Sequence, residues 1–581
     1  MCRIPRHWQS IVSGLFPLIL VGCAALVSCG RPASESAGVQ AVNWSRYYSN
    51  DETNQIMRSY AGRFPNLAKL SSIGKSYKGV DLMLMEITNP DTGPAAEKPA
   101  FYMDGNIHSG ELTGSAVTLY LVGYLLDRYG QDKQVTELVN SRVFYLRPKF
   151  NPDGADLSLL KDVSLRSGVR PWDDDDDGTA DEDPAEDLNG DGFITQMRIP
   201  DPKGTWKMSG EDPRLMVRRA EGETGGKYYR LVSEGIDNDG DGRLNEDGIG
   251  GIDMNRNFPR YWESEYLQPG AGPFPLSEPE TYATISFIDA HPNITGIVHN
   301  HTSGGFVYRL PSSSDPAQFN KDDLALIETL GAKYTDTTGR PVEPSSTDSV
   351  KHRYGTLIGW AYEDRGIIGW VPEYWPGISA DDNGDGSTSD LERLRFNDAR
   401  LGGKFFIAWK PYDHPQFGNV EIGGWKSRFI SQNPPPELLE KECSLQIPWI
   451  LYLAGQSPVL KMSEPAITDM GGNRFQVEVT VRNEGFLPTN LTERAIQTRV
   501  IKPVYAGIKI EGGELVEGEG AKKISLGHLA GTYPVADPAR KSSAVARWVI
   551  QKTSDRPVIQ IEAKSEKGGV VRSARISLGG K

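Results

Sequence analysis

The sequence predicts an α/β domain with a mixed, mostly parallel sheet and helices on both faces, followed by a smaller all-β sandwich. Three observations carry this. From Asn43 to about Pro458, apolar stripes of helical period alternate with short apolar runs of strand type. After Gln456 the long helical stripes stop, and period-2 strands separated by Gly, Asn, Asp and Pro take over. The chain, at 581 residues, is long enough for more than one core.

In chain order, the first thirty residues stand outside the fold. Arg3, Arg6 and His7 form a basic start, an apolar segment "IVSGLFPLILVGCAALVSC" follows, and a small-residue polar tail closes it, which is the grammar of an export signal. Leu26-Val27-Ser28-Cys29 and Leu20-Val21-Gly22-Cys23 both match the bacterial lipoprotein pattern. Cys29 is favoured because a polar tether follows it. Residues 1–29 are therefore expected to be a lipoprotein-type signal peptide and 30–42 a tether. The protein is expected at the periplasm or cell surface, touching membrane only through its lipid anchor. Only Cys443 lies beyond the anchor, so no internal disulfide framework is expected. The net charge of −14 lacks the basic excess that nucleic acid requires.

Within 43–456, "DETNQIMRSYAGRF" has helical spacing, "GVDLMLMEIT" and "PAFYMDGN" read as strands, and "ELTGSAVTLYLVGYLLDRYG" is a long striped helix. "RVFYLRPKFN" is a strand entering the turn "NPDG". A helix "EPETYATISFIDAHP" precedes the strands "ITGIVHNHT" and "GGFVYRLP". The helix "GTLIGWAYEDRG" leads into the strand "IIGWVPEYW", and "PPPELLEKECSLQIPWILYLAG" is the last helix. Residues 457–581 read as an immunoglobulin-like β-sandwich.

An acidic insert, 164–250, interrupts the domain. "DDDDDGTADED" (Asp173 to Asp183) and "DNDGDGRLNED" (Asp237 to Asp247) share one grammar. "DLNGDGFIT" follows its first six positions, and "DDNGDGSTSDLE" matches the full calcium-loop pattern. Alternating Asp and Asn around a turn-forming Gly suit Ca²⁺, a hard cation that takes six to eight oxygens. The candidate ligands are Asp173, Asp175, Asp177, Asp187, Asn189, Asp191, Asp237, Asp239, Asp241, Asp381, Asn383, Asp385 and Glu392.

Hydrolytic zinc needs three protein ligands and an open position. His108 and Glu111, in "GNIHSGELTG", offer two; His299 and His301, on one face of a later strand, offer the third. Glu373, ending an apolar strand, is placed as a general base. Asn255 and Arg256, in "DMNRNFPRYW", pair an amide with a guanidinium suited to a carboxylate.

Taken together, "HSGE", "NPDG", "MNRN", "HTSG" and "VPEYW", in that order over roughly Tyr47 to Pro415, resemble the zinc carboxypeptidases of the carboxypeptidase A-like group. The resemblance implies Zn²⁺ held by His108, Glu111 and His301, with Glu373 as catalytic base. It implies Asn255 and Arg256 gripping the free C-terminus of a peptide substrate, and Arg198 polarising the scissile carbonyl. Gly110 stands where the family often has an arginine. Tyr354 is the nearest counterpart of the substrate-capping tyrosine. Ile358 falls at the pocket floor, implying an apolar or aromatic substrate side chain. The expected activity is that of a zinc metallocarboxypeptidase. Alternatives are a peptidoglycan stem-peptide amidase on the same scaffold and a non-catalytic, calcium-dependent surface binder.

Overall fold

Ala100–Gly105 is buried at every position, as a central parallel strand must be. Around it an eight-stranded sheet runs in the order Ala68–Lys75, Asp81–Ile87, Val143–Arg147, Ala100–Gly105, Ile294–Asn300, Ile368–Glu373, Phe306–Arg309, Val342–Pro344. The four central strands are parallel and the flanking pairs are antiparallel, except for the last pair, which is parallel again. This is the mixed sheet expected. The computed structural model describes residues 41–174, 176–311, 319–345, 353–516, 521–535 and 537–579. The expected signal peptide, both candidate lipidation cysteines and Asp175 lie outside those ranges. Among the described residues, no helix is long and apolar enough to cross a membrane.

Tyr102 and Tyr145 turn onto Phe287 of the helix Pro279–Ala290. The long striped segment forms the helix Leu112–Arg128, which packs on the Ala100–Gly105 strand and on the last helix, Pro436–Gly455. Two glycines make that packing close. A Cβ on Gly105 would stand 2.3 Å from the carbonyl carbon of Gly114, and one on Gly114 would stand 2.7 Å from the carbonyl oxygen of Asn300. These are backbone contacts, so no side-chain movement relieves them. They bring the start of the helix against the C-terminal ends of two central strands.

The acidic insert is more than loops, a correction to its reading as a calcium-binding segment alone. Its strands Gln196–Pro200, Trp206–Met208, Met216–Arg218 and Tyr229–Ser233 join the hairpin Phe406–His414 and Gly418–Trp425 in a second, six-stranded antiparallel sheet. Met197, Ile199, Val420 and Ile422 form its small core. Short strands amid charged sequence carry too weak an alternation to be read before their partners are known.

The two repeats of shared grammar exchange their final aspartates. Asp183, fully buried, accepts from the amides of Asn238 (3.0 Å) and Asn245 (2.8 Å); Asp247, also fully buried, accepts from those of Asp174 and Asp181, both at 3.1 Å. Each loop thus supplies the carboxylate that satisfies the second and ninth amides of the other. The exchange is a pseudo-two-fold lock written by the repeat itself.

Beyond Gln456 two antiparallel sheets face each other, one built on Arg474–Asn483 and Ser543–Lys552, the other on Val504–Glu511 and Val558–Ser565. The 474–483 strand alternates buried and less buried residues along its length, and Val477, Val479, Trp548 and Ile561 meet in the shared core. The sandwich is joined to the α/β domain by the buried Lys567, whose ammonium donates to the Ile294 carbonyl at 2.7 Å, and by a two-pronged Arg572–Glu97 pair.

Gly114→Ala is expected to cost about 1–3 kcal/mol through overpacking. Thermal unfolding should show the loss, while Gly62→Ala, in the helix Asn50–Arg63 with open space around it, should be neutral or slightly stabilising.

Candidate active site

His108, Glu111 and His301 are brought together although they come from a loop, a helix start and the end of a strand. All three are buried, at 2%, 6% and 2% exposure, and each offers a ligand atom within 4.8 Å of the others. His108 Nδ1 lies 2.8 Å from Glu111 Oε1 and 3.0 Å from His301 Nδ1; His301 Nδ1 lies 2.8 Å from Glu111 Oε2. Glu111 Oε2 nevertheless has no hydrogen-bond partner.

Local structure explains why Glu111 is free for this. It occupies the N-cap of Leu112–Arg128 but makes no capping bond. Asn433, fully buried, caps the helix instead, accepting from the Thr113 amide (3.0 Å) and hydroxyl (2.9 Å) and donating to the Gly110 carbonyl. The loop ahead is shaped by Asn106, at φ 68°, whose amide donates to the carbonyls of His108 and Ser109. Asn151 of "NPDG" caps the helix Pro152–Leu160 and also donates to Ser109 Oγ and the Ser167 carbonyl. The turn motif therefore braces the ligand loop.

Both imidazoles are held at their far nitrogen. His108 Nε2 lies 3.1 Å from Asp253 Oδ1, and His301 Nε2 lies 3.3 Å from the Asn255 amide. Such outer contacts orient a ligand ring and tune its basicity. Burial pushes the His301 imidazole down to about 3, so it stays neutral. For His108, burial is outweighed by Glu111 and Asp253, which hold its pKa above the ordinary value. Glu111 is held well below the carboxylate range, because His108 and His301 outweigh its burial.

Glu373 ends the strand Ile368–Glu373, half-buried, in a backbone bridge with His301. Burial, then the Glu111 charge, push its carboxyl well above the ordinary range, against Arg166 and Arg353. It stands outside the three-residue donor group. His299 stays in the sheet, its Nδ1 2.6 Å from Asp104, with both side chains fully buried. Asn255 and Arg256 lie on the turn Met254–Arg256, which is capped by Asp253. Asn255 Oδ1 accepts from the Leu357 amide at 3.1 Å, tying the first turn of Leu357–Arg365 to the site; Ile358 is buried there against Gly369. Tyr354 is half-buried, its backbone clasped by Gln268.

Arg198 requires a correction. It belongs to the second sheet, where its Nε donates to Glu421 at 2.8 Å and its guanidinium lies 4.6 Å over the Trp409 ring. Arg166 is the arginine at the site: Nε donates to Asp253 at 3.0 Å, and Nη1 lies 3.5 Å from Glu111 Oε1. Arg166 lies before the acidic run and Arg198 after it. Closeness to "NPDG" was the signal available. Gly110 is explained by crowding, since a Cβ would stand 2.7 Å from Arg428 Nη1, and Arg428 is pinned by Asp162 at 2.9 Å.

Residues 53–377, more than half the chain, match the family described as zinc carboxypeptidase. The chain belongs to the zinc carboxypeptidase family. A second match, over residues 459–574, is to a domain of unknown function, DUF8731. Among curated proteins, this family member is 35% identical over 155 residues to carboxypeptidase D of Anas platyrhynchos, covering 26% of this chain and 11% of that one. It is 40% identical over 130 residues to carboxypeptidase D of Mus musculus, covering 22% and 9%. The matched segments thus span about a tenth of those relatives. Among solved structures, the chain is similar to carboxypeptidase A of Helicoverpa armigera (15% identity, TM-score 0.44, 71% of this chain and 74% of that one). Another is the thrombin-activatable fibrinolysis inhibitor (17%, 0.43, with the same coverage).

The donor set fits the family's zinc. Two imidazole nitrogens and a carboxylate are its usual ligands, and at about 2.0–2.2 Å per bond their mutual spacing is roughly 3 Å. The observed contacts and the orphaned Glu111 Oε2 agree with that. Asp253→Asn is expected to weaken zinc retention about 10–100-fold, read by chelator competition. Retention equal to the parent would remove Asp253 from that role.

Proposed function

We propose that the protein is a zinc-dependent metallocarboxypeptidase that removes C-terminal residues from peptides. The observation carrying this reading is the charge arrangement around the donor set. Burial and the neighbouring charges of Arg166 and Arg353 lower Arg256, against Asp253, while Arg166 and Arg353 also act on Glu373. Arg166 and Arg353, both within electrostatic reach of Arg256 and of Glu373 beside the metal-ligand cluster, suit an anion, and a substrate's terminal carboxylate is one.

Zinc held by His108, Glu111 and His301 would polarise the scissile carbonyl and acidify a water. Glu373 takes the proton of the attacking water and passes it to the leaving amine. Its raised pKa suits a group that must hold the proton between those events. Arg166, half-exposed and aimed by Asp253, stabilises charge developing on the carbonyl oxygen. Arg256 grips the terminal carboxylate, and Asn255 holds His301 and the Leu357 helix in register with it. Ile358 favours apolar or aromatic side chains at the pocket floor.

Two variants test this together. Glu373→Gln is expected to retain zinc and lose turnover by at least about 10²-fold. Arg256→Ala is expected to raise KM for free-C-terminus peptides and spare amidated ones; equal loss on both would contradict the clamp. Offering muropeptides beside ordinary peptides separates the stem-peptide amidase reading.

Export on a lipid anchor at Cys29, or Cys23, accompanies this reading and would place the acidic loops where calcium is plentiful. Asp237, Asp239 and Asp241 lie close enough to share an ion. In the other loops Asp173, Asp187 and Asp381 each accept amides four and five residues on, and Asp177, Asn189, Asp191, Asn383 and Asp385 each accept the amide two residues on. Glu392 accepts from the Asp382 amide and, in a capping box, from the amide of Ser389, the N-cap of the helix Asp390–Arg400. A hydrogen bond to Asp247 raises Glu182 to about 7, and burial with Asp183 raises Glu246 to about 7. The folded loops therefore hold protons that the unfolded chain releases near 4.5. Their stability falls as pH climbs from there to about 7. Hydrogen-exchange protection of 173–183 and 237–247 is expected to drop between about pH 5 and about pH 8 and to return with roughly millimolar calcium. Protection indifferent to both would remove calcium from the reading.

A further inference from the structure

Gly507 sits mid-strand in Val504–Glu511, with Lys523 paired to it on one side and Glu562 on the other. A glycine there weakens a strand by about 0.5–1 kcal/mol relative to alanine. Among the described residues, nothing requires it. Its φ is not in the left-handed region, and an added Cβ would meet nothing closer than 3.6 Å, an ordinary contact. A glycine inside a strand commonly marks a bulge, a bend or close approach to the backbone; the register shift of this strand falls at Val504–Tyr505 rather than at Gly507, which leaves close approach.

Gly507 lies in a cavity of about 620 Å³, between this sheet and Ala96, Pro292 and Asn293 of the α/β domain. The lining is basic although the whole chain carries −14. Its carboxylates are already engaged: Glu562 with Arg572 and Glu566 with Lys502, both at 2.7 Å. Lys509, Lys522, Lys523 and Lys564 have no ion-pair partner among the described residues, and the Lys523 ammonium lies 4.0 Å over the Tyr505 ring. By the strand register, Lys509 and Lys564 share the outward face with Gly507. From sheet spacings they stand about 8 Å and about 12 Å from Lys523.

We propose that this cavity binds a polyanion: a slender chain bearing repeated phosphate or carboxylate groups, lying across the backbone at Gly507 with its charges on Lys509, Lys523 and Lys564. A recessed slot with a glycine floor admits a single chain more readily than a flat membrane. Because the rest of the molecule repels polyanions, binding has to come from such a local patch. The proposal does not depend on the peptidase reading and gives the sandwich a task of its own, holding the enzyme on an anionic polymer.

The test is fluorescence anisotropy of labelled polyphosphate and labelled poly-glutamate with the full chain, over a range of salt. At least one polymer is expected to bind, more weakly as salt rises. Which one does so identifies the anionic group. The triple variant K509E/K523E/K564E is expected to lose about tenfold or more in affinity. Gly507→Val, which fills the floor, is expected to lose affinity with Tm unchanged or raised. Hydrolysis of small peptides should be unchanged in both. The proposal is overturned if neither polymer binds at low salt, or if both variants bind like the parent. It also fails if Gly507→Val lowers Tm, since packing then accounts for the glycine. Anionic vesicles bound as tightly as the polymers, through the same lysines, would replace the polymer with a lipid surface.

Discussion

A carboxylate that declines to cap its own helix is the contact on which the rest depends. Glu111 stands at the N-cap, where an acidic side chain ordinarily accepts the first amides and gains from the dipole. Here Asn433, more than three hundred residues away, takes the amide, and Glu111 turns to two imidazoles. Burying a carboxylate costs several kcal/mol unless charge or coordination compensates. His108, His301 and Arg166 surround it. The glycine approach of Gly105 and Gly114 and the bracing by Asn106 and Asn151 keep these donors within reach of one another.

The acidic insert is continuous with this centre. Arg166 and Asp253, the pair behind Glu111 and His108, lie on the two stretches that enter and leave it. Those stretches are joined by the Gly168 amide on the Ile252 carbonyl, and by Asp181 accepting from both Trp172 and Gly250. The exchange of Asp183 and Asp247 closes the far end of the same ladder. A local charge change in the loops therefore has a covalent and hydrogen-bonded route of a few residues to the groups that orient the metal ligands.

Much of the main sheet could be read beforehand because its strands are buried runs bounded by helices of clear period. Ala100–Gly105 and Ile368–Glu373 are examples. The second sheet could not be, since Trp206–Met208 and Met216–Arg218 are three residues each and gain their identity from pairing. The same divide runs through the site. His108, Glu111, His301 and Glu373 sit in motifs whose residue types already state a chemistry. Arg198 and Arg166 do not: each is an arginine between two motifs, and only the fold tells which reaches the ligands.

By itself, the sequence determined the order of the main helices and central strands, the donor types and the repeat grammar of the insert, because periodicity and short motifs are local properties of a chain. Tertiary structure alone decided that Asn433 relieves Glu111, that Arg166 rather than Arg198 faces the ligands, and that the repeats exchange aspartates. Each of these is a contact between residues distant in sequence, and its energy exists only once folding has brought both partners out of water.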